Sequence, residues 1–178
     1  EEIKTIVVIG AGAMGQQIAM NTVMNGRKHS YKVILCDSFE GAIGKAEKWA
    51  SDYLSGRVAK GRLTQEEADK IADCLTITKD VDTAVSVADF IIEAIIENLE
   101  IKRELFRKIS RICRHDAVLG TNSSNIVSSR LADVTVNPER LLNIHYFNPA
   151  LVMQLVELVK GGHTSEETIE AARVFAEN

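Results

Sequence analysis

A glycine-rich segment directly after an apolar run constrains the fold of this chain more than any other feature. Residues 4–15 read KTIVVIGAGAMG, in which β-branched apolar residues lead into Gly10, Gly12 and Gly15. Such an apolar run predicts a buried strand of a parallel sheet, and the glycines predict a tight turn. We therefore expect the chain to begin with a strand, a glycine turn and a helix.

The spacing of these glycines, GxGxxG, is typical of a turn that binds a dinucleotide. The first two glycines let the backbone turn and approach a pyrophosphate, and the third lets the helix pack on the strand. Asp37 closes the next predicted strand, 22 residues after Gly15, which is close to the expected ~20. Its carboxylate would bind the ribose hydroxyls and repel a 2′-phosphate, which favours NAD over NADP. A glycine-rich turn without a ligand is the alternative interpretation.

Strands and helices are predicted to alternate along the rest of the chain. Strands are expected at 32–36, 75–78, 90–94, 117–120, 141–145 and 153–159, and helices at 16–25, 39–60, 64–72, 98–113 and 166–178. This rhythm implies right-handed crossovers and a mostly parallel sheet with helices on both faces. The expected fold class is therefore a doubly wound α/β fold.

Composition excludes several classes of protein. The 21 basic and 25 acidic residues give a net charge of −4, which does not suit a general nucleic-acid binder. No run approaches the ~18 apolar residues of a membrane span, and the first residues are no signal peptide. Cys36, Cys74 and Cys113 have neither metal-ligand nor disulfide spacing. We expect free thiols, no metal, no membrane contact and a cytoplasmic location.

A histidine and a glutamate late in the chain are candidates for proton transfer. Removing a hydride from an alcohol carbon requires a base for the hydroxyl proton, and histidine is suited to that at neutral pH. His29, His115 and His163 lie in polar or helix-end segments, whereas His145 ends an apolar strand. Glu157 follows 12 residues later inside LVELV, where we expect a charge to need a partner. A core histidine with an unrelated edge glutamate is the alternative.

Four segments together resemble one known family. GAGAMGQQIA, EAIIENLEIKRELFRKI, TNSSN and HYFNPALVMQLVELVKG occur in this order and resemble the NAD-binding catalytic domain of L-3-hydroxyacyl-CoA dehydrogenases, including 3-hydroxybutyryl-CoA dehydrogenases. The last segment is the most specific, because other Rossmann dehydrogenases lack it. The resemblance implies a Rossmann-type fold, NAD as cofactor and an acyl-CoA substrate that is oxidised at C3.

The resemblance also implies roles for individual residues. His145 is the implied base, Glu157 orients it, and Ser124 hydrogen-bonds the substrate oxygen. Cofactor contacts are implied for Gly10, Gly12, Ala13, Met14, Gly15, Asp37, Ala94, Glu97, Lys102, Asn122 and Asn148. The residues alone leave alternatives open: a capping hydroxyl for Ser124, and a solvated pair at a helix start for Glu97 and Lys102.

The basic segment 57–62, RVAKGR, is the candidate for the charged end of acyl-CoA. The family uses lysines in this stretch against the CoA phosphates, and Lys60 matches best, with Arg57 close by. Gly56 stands where related short-chain enzymes often carry another lysine. A solvated helix face is the alternative.

Two features depart from the family pattern. Residues 25–31 form a longer connection than usual, which we expect to be a surface loop. Family members also continue into a helical domain that walls the acyl pocket and forms much of a homodimer interface. We therefore expect residues 1–178 to be the NAD-binding catalytic domain of a longer enzyme, with apolar surface exposed and with weak or no turnover alone.

Two other functions remain alternatives at this point. A non-catalytic NAD-sensing or structural module is compatible with the fold, because a fold does not fix a function. A Rossmann dehydrogenase for hydroxyacids or sugars is also compatible with the glycine turn. The sequence fixes neither the acyl chain length nor the physiological direction of the reaction.

Overall fold

A seven-stranded, mostly parallel sheet organises the protein in the computed structural model, which describes residues 3–178. The strands are β1 (Thr5–Ile9), β2 (Lys32–Cys36), β3 (Leu75–Thr78), β4 (Phe90–Glu93), β5 (Val118–Thr121), β6 (Leu141–Tyr146) and β7 (Val156–Val159). Their order across the sheet is β3-β2-β1-β4-β5-β6-β7. Only β7 is antiparallel to its neighbour, β6.

Helices cover both faces of this sheet. They are α1 (Ala13–Asn25), α2 (Glu40–Ala59), α3 (Gln65–Asp73), α4 (Val81–Ser86), α5 (Leu99–Ile112) and α6 (Glu166–Glu177). No helix within residues 3–178 is long and apolar enough to cross a membrane. The doubly wound α/β fold of the Rossmann type is thus confirmed.

The alternation of side chains along β1 builds two separate cores. Ile6 and Val8 point to one face and pack with residues of α1, α2, α3 and α6. Val7 and Ile9 point to the other face and pack with residues of α4 and α5. Because successive side chains of a strand face opposite sides, a strand with helices on both sides must be apolar throughout, as the run TIVVI is.

The strand order reverses beside β1, and this reversal positions the site. β1 pairs with β2 on one side and with β4 on the other, all parallel. The connections after β1 and β4 therefore leave toward opposite faces of the sheet and open a crevice at its carboxyl edge. The glycine turn lies in this crevice.

Two predicted boundaries differ from the structure by three residues, and several others differ by one. α1 begins at Ala13 rather than residue 16, because Gly15 packs inside the first turn instead of preceding it. The last strand covers only Val156–Val159 rather than 153–159. The residues before it form a turn in which the Val152 and Met153 amides donate to the Pro149 carbonyl, and this turn competes with strand pairing.

The connection between α1 and β2 is more ordered than the predicted surface loop. Gly26–His29 form a short 3-10 helix, and Tyr31 is buried against Phe175 of α6 with ring centroids 6.0 Å apart. The longer connection therefore contributes to the core as well as to the surface.

The three cysteines are free thiols, as predicted. Burial at the end of β2, together with the nearby Asp37 and Asp80 carboxylates, raises the pKa of the Cys36 thiol to about 12. Burial also raises the pKa of Cys113. Both side chains therefore remain protonated near neutral pH.

Candidate active site

The three glycines of the turn after β1 meet different surroundings. Gly10 has a φ of 108°, and a Cβ there would lie 2.5 Å from the Ala94 carbonyl oxygen. A Cβ on Gly15 would lie 1.6 Å from the Gly10 carbonyl oxygen, whereas a Cβ on Gly12 would meet nothing within 4 Å. Gly10 and Gly15 thus permit the turn itself, and Gly12 leaves open space beside it.

The amino terminus of α1 faces this open space with its backbone amides. Gly12 is the N-cap and supplies no side-chain cap, and the first turn contains no acidic residue. The first amides of a helix lack intrahelical acceptors and carry a partial positive charge. Ala13 and Met14 in this turn therefore offer donors to a pyrophosphate, as their position in the motif implies.

Asp37 lies across the turn, directly after β2. Its Oδ2 accepts a hydrogen bond from the Ala11 amide at 2.9 Å, and its Oδ1 accepts one from the Phe39 amide at 2.9 Å. These bonds hold the carboxylate at the edge of a cavity of about 750 Å³. The cavity is lined in part by Gly10, Asp37, Ser38, Val81, Ile95, Ile96 and Ile101. Its other lining residues include Glu100, Glu104 and Lys108, so largely apolar walls are combined with a few charged groups, as in many small-molecule sites.

Ser124, His145 and Glu157 are brought together at the other side of the crevice. In the antiparallel pairing of β6 and β7, His145 lies opposite Glu157. The His145 Nδ1 is 3.4 Å from Glu157 Oε2, and the His145 Nε2 is 3.0 Å from the Ser124 hydroxyl. One ring nitrogen thus faces a carboxylate, and the other faces a hydroxyl.

The reason for this pairing differs from the one the sequence suggested. The Glu157 side chain is 58% exposed, so it is not a buried charge in need of a partner. Strand register brings it to His145 instead, because directly opposite residues of an antiparallel pair have neighbouring side chains.

Burial shifts the pKa of two other titratable groups, one on β6 and one in the loop after β7. Desolvation raises the pKa of Tyr146, partly offset by a hydrogen bond with the Thr22 side chain. Desolvation lowers the pKa of His163, partly offset by a hydrogen bond involving the Leu141 backbone. The Tyr146 phenol therefore stays protonated and the His163 imidazole stays neutral near neutral pH.

The turn after β5 fixes Ser124 through its neighbours. The Asn122 side chain accepts a hydrogen bond from the Tyr146 amide at 2.8 Å. The Ser123 hydroxyl donates to Glu97 and accepts from the Ile126 amide at 2.8 Å. Ser123 is therefore the hydroxyl that stabilises the turn, and Ser124 is left to face His145.

Glu97 and Lys102 do not form the solvated pair that was the alternative. Glu97 binds Ser123, as described above. Lys102 is buried, and its Nζ lies 2.5 Å from Oε1 of Glu93 at the end of β4. The sequence patterns did not single out Glu93. A glutamate that ends the apolar run FII is the signal that could have found it, because a buried charge needs a partner.

The remaining predicted site residues lie at different positions across the sheet relative to His145. Ala94 follows β4 and donates its amide to the Ile9 carbonyl, which places it against the glycine turn. Asn148 is exposed in the loop after β6. Arg57 and Lys60 lie at the end of α2, which packs on the edge strand β3. They are thus at the opposite end of the sheet from His145.

Exposed apolar side chains flank the histidine. Val152 and Leu155 are 71% and 59% exposed, and Met153 and Val159 are also exposed. All four lie in the loop before β7 or in β7 itself. The site therefore has an apolar surface beside its polar groups.

A doubly wound sheet with a glycine turn and an acidic residue after the next strand defines an NAD-binding domain of the dehydrogenase class. Within that class, a sequence model described as "3-hydroxyacyl-CoA dehydrogenase, NAD binding domain" matches residues 5–178. The chain belongs to this family, whose cofactor is NAD.

Individual relatives support this assignment. The chain is 37% identical over 168 residues to a 3-hydroxyadipyl-CoA dehydrogenase of Escherichia coli strain K12, covering 94% of this chain and 34% of that protein. It is 33% identical to the mitochondrial hydroxyacyl-coenzyme A dehydrogenase of Mus musculus, and the match covers 95% of this chain and 54% of that protein. A crystal structure of 3-hydroxybutyryl-CoA dehydrogenase from Escherichia coli K12 matches with a TM-score of 0.90 at 35% identity, covering 98% of this chain and 36% of that one. The chain thus spans between a third and about half of the length of these relatives.

Proposed function

We propose that the protein transfers a hydride between NAD and C3 of an L-3-hydroxyacyl-CoA, giving the 3-ketoacyl-CoA on oxidation and the hydroxyacyl-CoA on reduction. The observation that carries this proposal is the contact of His145 with both Ser124 and Glu157. The names of the relatives support the substrate class.

The position of Asp37 supports one orientation of the cofactor. Asp37 follows β2, and His145 lies on β6, with the glycine turn of β1 between them. A ribose bound by Asp37 places the adenosine half on the β2 side, so the nicotinamide half belongs on the β4 to β6 side. We infer that Ala94, Glu97, Lys102, Asn122 and Asn148 contribute to this second half.

His145, Ser124 and Glu157 have different roles in the transfer of the substrate proton. The Nε2 of His145 accepts the proton of the substrate hydroxyl, and Ser124 hydrogen-bonds the same oxygen. Glu157 at Nδ1 holds the imidazole in the tautomer that leaves Nε2 free to accept, and it stabilises the charged ring afterwards. Bound NAD supplies the acceptor for the hydride. In the reverse direction His145 returns the proton to the oxygen.

The acyl-CoA needs contacts beyond these residues. We infer that Lys60 and Arg57 bind the phosphates of CoA, which their positive charge supports. The exposed Val152 and Leu155 would contribute a wall for the acyl chain together with a separate helical domain. In this proposal residues 1–178 are the NAD-binding catalytic domain of a homodimeric enzyme. A cytoplasmic location is supported by three unpaired cysteines.

Replacing His145 tests the proposed reaction. In the full-length protein, His145→Gln is expected to lower acetoacetyl-CoA-dependent oxidation of NADH by roughly 10² to 10⁴-fold, the usual contribution of a general base. Glu157→Gln should lower the same rate by a smaller factor, because the imidazole remains. NADH binding, followed by fluorescence, should stay within a factor of two in both variants.

The exposed His115 provides the matched control. His115→Gln is expected to leave the rate unchanged. NADH binding without any rate in the unaltered full-length protein would favour an NAD-sensing module. Turnover of a free hydroxyacid, with no effect of acyl-CoA, would favour a dehydrogenase of another class.

A further inference from the structure

A buried ion pair beneath the loop after β4 joins Lys102, an inferred cofactor contact, to Glu93, which has no role in the reaction described above. The side chains of Glu93 and Lys102 are 0% and 2% exposed, respectively. Burying two charges is a weak source of stability, since apolar residues of similar size do as well or better. Buried ionisable groups at the edge of a cleft instead point to a functional role.

The Glu93 carboxylate joins three segments that surround the crevice. Its Oε1 accepts hydrogen bonds from Lys102 Nζ at 2.5 Å and from the Ile95 amide at 2.8 Å. Its Oε2 accepts one from the Thr121 hydroxyl at 2.6 Å. Glu93 thereby fixes α5, the loop after β4 and the end of β5 relative to one another.

The ion pair lies close to the glycine turn, on the side away from Asp37. Glu93 pairs with Ile9, the residue before Gly10, in the register of β1 and β4. Lys102 Nζ also lies 3.4 Å from the carbonyl oxygen of Ile95, which lines the cavity beside Asp37. The buried ammonium group thus lies beneath the loop after β4, and Glu93 links it to the end of β5.

We propose that Glu93 is a positioning residue that holds Lys102 and cancels its charge, so that the site accepts both oxidation states of the cofactor. The oxidised nicotinamide ring carries a positive charge, and the reduced ring is neutral. An uncompensated ammonium nearby would disfavour NAD+ relative to NADH, and an uncompensated carboxylate would do the reverse. This inference rests on the proposed placement of the nicotinamide half.

The ratio of the dissociation constants for NAD+ and NADH tests the proposal. Glu93→Gln should raise this ratio roughly tenfold, the size expected for one charge about 10 Å away at an effective dielectric constant near 20. Lys102→Met should lower the ratio by a similar factor. The double variant should return it to within about twofold of the unaltered protein, because neither charge remains.

Two further variants separate charge from structure. Thr121→Val removes a hydrogen bond from the same carboxylate without changing a charge, so it should weaken both cofactor forms equally. His145→Gln should leave the ratio unchanged even where it abolishes turnover, which separates failure of this inference from failure of the proposed reaction.

The outcome is decisive in either direction. Opposite shifts in the single variants with restoration in the double variant support the proposal. Three results would overturn the proposal and leave Glu93 with a purely structural role. They are an unchanged ratio in Glu93→Gln, shifts of the ratio in the same direction in both single variants, and a double variant whose affinity for both cofactor forms falls by the combined losses of the single variants. A smaller folded fraction raises both apparent dissociation constants by the same factor, so it does not change their ratio.

Discussion

At the level of single residues, the glycines after β1 differ in what a side chain would meet. Gly12 has a φ of −76°, which alanine adopts without strain, and open space around it. Gly15 has the Gly10 carbonyl oxygen 1.6 Å from its ideal Cβ position. Gly12 therefore leaves open space beside the turn, and the absence of a side chain at Gly15 permits the packing of the turn.

This difference predicts opposite phenotypes for two alanine variants. Gly12→Ala should fold with a melting temperature close to that of the unaltered protein but bind NADH at least tenfold more weakly, because its methyl group occupies the space for a pyrophosphate. Gly15→Ala should lose about 1–3 kcal/mol of stability from overpacking. Thermal unfolding and NADH titration of both variants provide the measurement.

Gly44 in α2 is the control, since a Cβ there also meets nothing within 4 Å. Gly44→Ala should change neither NADH binding nor the fold. Unweakened NADH binding by Gly12→Ala would contradict the assignment of the turn.

The roles of two adjacent serines also depended on the structure. The segment TNSSN alone left open whether Ser124 caps the turn or faces the substrate. Ser123 makes the hydrogen bonds of the turn, and Ser124 contacts His145. The sequence TNSSN contains two equivalent hydroxyls, and only the direction of the backbone in the folded turn distinguishes them.

At the level of elements, the sequence predicted the helices and strands whose start is determined by a few neighbouring residues. The capping box that starts α3 is an example. The Thr64 hydroxyl accepts a hydrogen bond from the Glu67 amide, and the Glu67 carboxylate accepts one from the Thr64 amide at 2.9 Å. All groups of this motif lie within four consecutive residues, so the sequence determines it.

The capping box predicts a pH-dependent contribution to stability. The Thr64 amide holds the pKa of Glu67 below its usual value of 4.5. A lowered pKa means that the stabilisation is present above pH 4.5 and is lost as the pH falls through the lowered value. Glu67→Gln should therefore lower the melting temperature at pH 7 by roughly 1 to 3 °C, and the difference should vanish near pH 2.

Glu66 in the same helical turn offers a control for the helix dipole. Its carboxylate pairs with Lys70 rather than with the cap. Glu66→Gln should therefore change the melting temperature at pH 7 less than Glu67→Gln does. Equal effects at pH 7 would assign the stabilisation to the dipole rather than to the capping hydrogen bond.

The last strand shows where local patterns fail at this level. The apolar run in residues 153–159 fits a strand, but hydrogen bonds to the Pro149 carbonyl hold Val152 and Met153 in a turn. Pairing with β6 begins only at Val156. Apolar periodicity cannot reveal which residues of an apolar run find a partner strand.

For the whole molecule, the reversal of strand order beside β1 creates the crevice between Asp37 and His145. A ligand that binds only the folded state stabilises it in proportion to its concentration and affinity.

Cofactor binding should accordingly raise the melting temperature. At a concentration of NADH 100 times its dissociation constant, the gain is about 2.7 kcal/mol, or roughly 5 to 10 °C for a domain of this size. NADPH at the same concentration should give a much smaller shift, because Asp37 repels its 2′-phosphate. Differential scanning fluorimetry measures both.

Asp37→Ser would serve as the matched variant. It should reduce the difference between the two cofactors, since it removes the negative charge. Equal shifts with NADH and NADPH in the unaltered protein would contradict the role of Asp37.

The sequence by itself determined the alternation of strands and helices, the glycine turn and the acidic residue after β2. Each of these follows from the apolar period or turn chemistry of a short segment. Only the tertiary structure decided that Glu93 holds Lys102, that Ser123 binds Glu97, and that an exposed Glu157 meets His145. These contacts join residues from separate strands, loops and helices, so they depend on strand register and helix packing, which no local segment specifies.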